Sequence, residues 1–132
     1  MDYTNSPDNL DNVKQAVRAF ENLRQKVNEL NSQVNSAGWA QRNALISHVY
    51  SSYNNHEELI EKKSRWEELI FERNVHCKLL EYLSDYRDLY GFFPDYRKMI
   101  SAFDDLIALS ITKEEFEIAS ILKKWRDQFP SP

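Results

Sequence analysis

The sequence predicts an all-α fold, elongated, with a helical bundle or coiled-coil-like amino-terminal part and an antiparallel helical hairpin at the carboxy terminus. Three observations carry that expectation. Residues 39–90 contain no glycine or proline, and their apolar residues recur every three or four positions. Only two glycines and four prolines occur in 132 residues, three of the prolines at or near the chain ends, so β-hairpins lack their usual turn residues. The first thirty-odd residues carry an apolar stripe of near-heptad spacing. A single unbroken helix over 39–90 would run about 78 Å at 1.5 Å per residue, so the chain is expected to be elongated or broken near its middle.

Residues 1–6 read as a flexible tail, and 7–129 as one helical domain. Its first helix, 7–36, opens at Ser6-Pro7-Asp8. Serine caps orphan N–H groups, proline suits the first helical position, and aspartate complements the positive end of the helix dipole. The apolar residues Leu10, Val13, Val17, Phe20, Leu23, Val27, Leu30 and Val34 then lie three or four apart. So narrow a stripe among polar neighbours suits a coiled coil, and Val17 and Leu30 are the seam positions expected to join two copies in a homodimer. Asn35-Ser36-Ala37-Gly38 is expected to end this helix, with Gly38 as its left-handed cap.

The second helix, 39–90, carries Leu45, Ile46, Val49, Tyr50 and Tyr53, then Leu59, Ile60, Trp66, Leu69, Ile70, Cys77, Leu80 and Leu83. Its weakest point is Ser51 to Glu58, where Asn55 and Glu58 have the layout of a capping box and a kink or short break is expected. Gly91 is expected to stop the helix and Pro94 to start the hairpin, 94–129. Met99, Ile100, Phe103, Leu106, Ile107 and Leu109 form the face of its first arm. Thr112 with Glu115 reads as a capping box opening the second, where Phe116, Ala119, Leu122 and Trp125 share a face. Arms joined this tightly are expected to lie antiparallel.

The segment Phe116-Glu117-Ile118-Ala119-Ser120-Ile121-Leu122-Lys123 resembles the second helix of the UvrB/UvrC motif, a short antiparallel hairpin used for protein–protein contact. Phe116, Glu117, Ala119, Ser120, Leu122 and Lys123 match the pattern of an aromatic, an acidic residue, two small residues, and a leucine followed by a basic residue. Lys124 and Arg126 depart from it, standing where an acidic and an apolar residue would follow. The resemblance covers about a quarter of the chain and implies an interaction module without implying repair activity.

Charge and chemistry narrow the function classes. The net charge of −4 is spread as −1, −2 and −1 over 1–36, 39–90 and 91–132, with no basic block to grip a phosphate backbone. Lys62, Lys63 and Arg65 stand among Glu57, Glu58, Glu61, Glu67 and Glu68, the pattern of a solvated helix face. His48, His56 and His76 lack the repeated Glu-x-x-His spacing of a dinuclear carboxylate site, and Cys77 has no ligand partner at metal-binding spacing. Adjacent His76 and Cys77 point about 100° apart on a helix, poorly placed for a nucleophile and its base. No catalytic residue, metal or cofactor is expected. The lone cysteine and the missing leader point to the cytoplasm, and no apolar run spans a bilayer.

The remaining feature is the aromatic density around Gly91, with Tyr82, Tyr86, Tyr90, Phe92, Phe93 and Tyr96 within fifteen residues. These side chains either pack the junction between the long helix and the hairpin or form a docking surface. Tyr82, Tyr86 and Tyr90, four apart, would share one helix face. The sequence is read as a non-enzymatic adaptor or regulator that binds another protein, with an accessory factor of nucleic-acid machinery as the alternative.

Overall fold

The structure, a computed structural model, describes residues 7–132, and their side chains from Asp11 onward. The expected tail, the Ser6 cap and the Leu10 side chain lie outside the described residues. All regular structure in the described residues is helical: α1 (Pro7–Tyr50), α2 (His56–Ser84), α3 (Tyr96–Thr112) and α4 (Phe116–Arg126). None of these helices is long and apolar enough to cross a membrane.

Three boundaries differ from those the sequence suggested. The first helix does not end at Gly38 but continues to Tyr50. A methyl group on Gly38 would stand 3.2 Å from Nε1 of Trp66, so the glycine admits a tryptophan against the helix backbone instead of capping it. The second helix, broken within the expected segment, stops at Ser84 rather than Tyr90. There Ser84 Oγ donates back to the Leu80 carbonyl at 2.6 Å, and the N–H groups of Tyr86 and Arg87 bond three residues back in tightened turns. Thr112 closes α3 instead of opening α4: its hydroxyl donates to the Ala108 carbonyl at 3.0 Å, and Glu115 is the N-cap of α4 without a side-chain cap bond.

The helix ends after α1 and α3 share one geometry. Glu115 N–H bonds to the Ser110 carbonyl (2.9 Å) and Glu114 N–H to that of Ile111 (3.0 Å), with Glu114 left-handed at φ 60°. After α1, Tyr53 N–H bonds to the His48 carbonyl (2.8 Å) and Ser52 N–H to that of Val49 (3.3 Å), with Ser52 and Tyr53 at φ 59° and 69°. Both are Schellman closures in which a non-glycine residue occupies the position glycine prefers. This explains why neither end was legible from glycine punctuation.

The chain divides into two units, Met1–Arg24 with Lys78–Pro132, and Gln25–Cys77. In the first, Ala16, Ala19, Phe20 and Leu23 of α1 meet Leu79 and Leu83 of α2, Phe93 of the loop that follows, Met99, Ile100 and Phe103 of α3, Leu122 of α4, and Phe129. The α3–α4 hairpin is fastened by Arg126, whose Nε stands 2.9 Å from Asp104 Oδ1 and whose Nη1 donates to the Phe129 carbonyl at 3.2 Å. In the second unit α1 and α2 pair through Leu30, Val34 and Leu69, with Ala37, Trp66 and Ile70 at the margin.

Candidate functional site

Of the residues singled out from the sequence, Val17, Tyr82 and Tyr86 pack against the same core, while Leu30 and Tyr90 lie apart from them. Leu30 is fully buried against α2, and Val17 packs at the edge of the larger core. The stripe read as a seam between two copies is therefore an internal packing line in this chain. Ala16 and Ala19, absent from that reading, turn the buried face slightly, so that Val13 stands exposed. Small residues at these two positions let neighbouring elements approach closely.

The tyrosine stripe does not form either, because α2 ends before Tyr86. Tyr82 and Tyr86 lie against the larger core with their rings edge-to-face at 6.0 Å, while Tyr90 is 84% exposed. Burial, with Tyr86 alongside, raises the Tyr82 hydroxyl above the usual tyrosine range. Tyr96, whose hydroxyl donates to the Pro130 carbonyl, is pushed higher still by burial, against the opposing pull of Arg126.

Tyr90 belongs to a loop built on Asp88. Asp88 Oδ1 accepts from Tyr90 N–H (2.9 Å) and Phe92 N–H (3.0 Å), and the Asp88 N–H donates to the Phe92 carbonyl at 2.9 Å. Gly91, at φ 85°, has Arg87 against it: an added methyl group would meet Arg87 Nη2 at 3.0 Å. Arg87 in turn lies over the Phe20 ring, 4.6 Å from its centroid, and pairs with Glu21 at 2.9 Å. The glycine thus leaves room for an arginine that ties the loop to α1. Leu89 and Tyr90 project from the tip.

Groups capable of chemistry are scattered. Among the described residues no three His, Cys, Asp or Glu side chains are placed to hold a metal ion. His76 is buried, its Nδ1 donating to the Glu72 carbonyl at 2.6 Å; burial holds its pKa below 6.5, with that hydrogen bond opposing and Lys26 adding to the depression. His48 is also buried, edge-to-face with Tyr53 at 5.1 Å and 5.7 Å from the ring of His56. Asn55 Nδ2 donates to Ser47 Oγ at 2.7 Å, binding the turn between α1 and α2 to the helix it leaves.

The strongest surface feature draws on residues that the sequence grouped as an apolar face, Leu45, Ile46, Val49, Tyr50 and Tyr53, but its outward direction was not read from the sequence. In α1, Ala37, Ala44 and His48 are on the inward side, whereas Trp39 (64% exposed), Ile46, Val49 and Tyr50 (86% exposed) point away from it. Offsets of 7, 10 and 11 residues from Trp39 place these four along one stripe. Arg42 lies within it, its guanidinium 5.5 Å from the Trp39 ring centroid. Between Glu29 and Glu57 this arginine is the only Asp, Glu, Lys or Arg. That gap in a chain with 29% charged residues was the available signal; placing a helix end at Gly38 divided it between two elements and hid it.

The α3–α4 hairpin places Ala119 and Leu122 of the UvrB/UvrC-like segment inward and leaves Phe116, Ser120 and Lys123 exposed. No known family, curated protein or solved structure matches the chain at a significant level.

Proposed function

We propose that this chain is a non-enzymatic cytoplasmic adaptor that binds protein through the outward face of α1 around Trp39, Ile46, Val49 and Tyr50. One observation carries the reading: over Trp39–Tyr50 the inward side of α1 is packed through Ala44 and His48, while the opposite side carries Trp39, Ile46, Val49 and Tyr50 uncovered. Large apolar side chains on the side of a helix that its own chain leaves open mark a second face suited to burial. Scattered apolar residues are normal on a protein surface, but a continuous stripe with almost no charge is the mark of a surface that associates. Tryptophan and tyrosine beside an arginine are the residue types that dominate interface energetics.

The test is photo-crosslinking in the native cell, with a photoreactive phenylalanine analogue at Ile46 and, for comparison, at the exposed Glu67 of α2. Discrete protein adducts from position 46 and none from 67 are expected. The same adducts from both positions, or none from 46, would remove the α1 face as a binding surface.

A further inference from the structure

The occupant of this face can be named by its chemistry. We infer that it is a second copy of the same chain, packed antiparallel across a two-fold axis near Ile46, an inference that rests on the α1 face being a binding surface.

The area is the first reason. At the size of such side chains, the exposed parts of Trp39, Ile46, Val49 and Tyr50 amount to roughly 600 Å², the lower end of what each partner contributes to a specific interface. Continuity of the stripe is the second. An antiparallel contact centred on Ile46 pairs residues 42–50 of the two α1 helices and covers the stripe that the chain itself leaves open. The outer side of α2 is no rival for this contact, because Glu57, Glu58, Glu61, Lys63, Arg65, Glu67 and Glu68 are all exposed and would lose water on burial.

Electrostatic self-complementarity is the third reason. Across an axis at Ile46, residues equally distant from position 46 face one another, which sets Arg42 opposite Tyr50 of the second copy. The guanidinium already lies toward the stripe, beside Trp39; in the pair it would stand between that ring and the tyrosine, a doubled cation–π contact. The two copies of Arg42 would be about 12 Å apart along the helix axis, beyond the screening length of roughly 8 Å at physiological salt. With no carboxylate between Glu29 and Glu57, the face offers a charged partner nothing to pair with apart from Arg42. A second copy presents the same aromatic surface with its single cation and supplies a tyrosine for each Arg42.

The experiment measures mass and proximity together in the full chain. Sedimentation equilibrium should give a dimer for the wild type and a monomer for Ile46→Asp, with dimerisation weakened by about 100-fold or more as two charges meet at the axis. Ile46 is half-exposed, so the variant should keep its helical circular dichroism. In a Cys77→Ser background, Ile46→Cys should form a disulfide-linked dimer on mild oxidation, and Glu67→Cys should not. A dimer that persists in folded Ile46→Asp, or that crosslinks through 67 and not 46, would overturn the proposed surface. A monomeric wild type that still yields photo-adducts with other proteins from position 46 would overturn the second copy and leave the adaptor reading standing; a monomer without adducts would remove both.

Discussion

The two units use the same pair of long helices and reach different ends with them. In Met1–Arg24 with Lys78–Pro132, α1 and α2 are joined by α3, α4 and the segment through Phe129, and twelve of the described residues form the buried core cluster; in Gln25–Cys77 only α1 and α2 are present, and the cluster has three. A helix surrounded by others can bury a broad face. A helix with one neighbour buries a single stripe, and whatever apolar surface lies on its other side stays in water. That difference explains why Phe20 and Phe103 are core while Trp39 and Tyr50, equally large, are surface. The lesson is that the thin unit is where a partner has most to offer, and the thick unit is where stability resides.

Core truncation should break the comparison most sharply. Phe103 is fully buried and edge-to-face with Phe129 at 6.0 Å; Phe103→Ala should cost about 3–5 kcal/mol, and Leu30→Ala in the thinner core about 2–3, since a two-helix contact relaxes around the loss. Urea denaturation of both variants measures this, and a larger loss at Leu30 would reverse the assignment of strength. Next in size is the loop of the thicker unit. Gly91→Ala should cost about 1–2 kcal/mol from its left-handed backbone, with a further loss if Arg87 is displaced from Phe20 and Glu21; a thermal midpoint equal to the wild type's would contradict the geometry.

The shared helix closures sharpen the comparison from the other direction. Ser52→Gly in the thin unit and Glu114→Gly in the thick one should each stabilise the chain by about 1 kcal/mol, because each places glycine where the backbone is already left-handed. Local hydrogen exchange separates the two gains, and destabilisation by either substitution would show that the native side chain has a role the backbone does not reveal. The smallest effect is expected from His76. Burial lowers its folded pKa below 6.5, so between those two values the unfolded chain binds more protons than the folded one. The contribution of His76 is complete above about pH 6.5 and is lost as pH falls through the folded value. His76→Gln should reduce the slope of unfolding free energy against pH in that window; an unchanged slope would assign it elsewhere.

The helical class was legible because periodicity and scarce glycine act over long windows. Local punctuation misled where a residue had a tertiary role. Gly38 resembles a cap, but it makes room for Trp66; Thr112 and Glu115 have capping-box spacing, but Thr112 turns its hydroxyl back to Ala108. The break after Tyr50 could be anticipated from Ser51 to Asn55, although the left-handed Ser52 and Tyr53 could not. The candidate surface was half legible: its aromatics and its missing charge were in plain view, but the direction they face depends on α1 continuing through Gly38. The Tyr82, Tyr86 and Tyr90 spacing failed for the opposite reason, since α2 stops too soon to align them.

Native-state hydrogen exchange at several protein concentrations tests most directly the idea that a thick unit supplies stability and a thin unit supplies the interface. Amides of Met99 to Phe103 should be the most protected, at a level close to global unfolding and little changed by concentration beyond the stability that dimerisation itself adds. Those of Trp39 to Tyr50 should exchange faster when dilute and gain the most protection as concentration rises and the second copy covers their outer face. Equal protection in both segments, or protection over Trp39 to Tyr50 that does not depend on concentration, would contradict it.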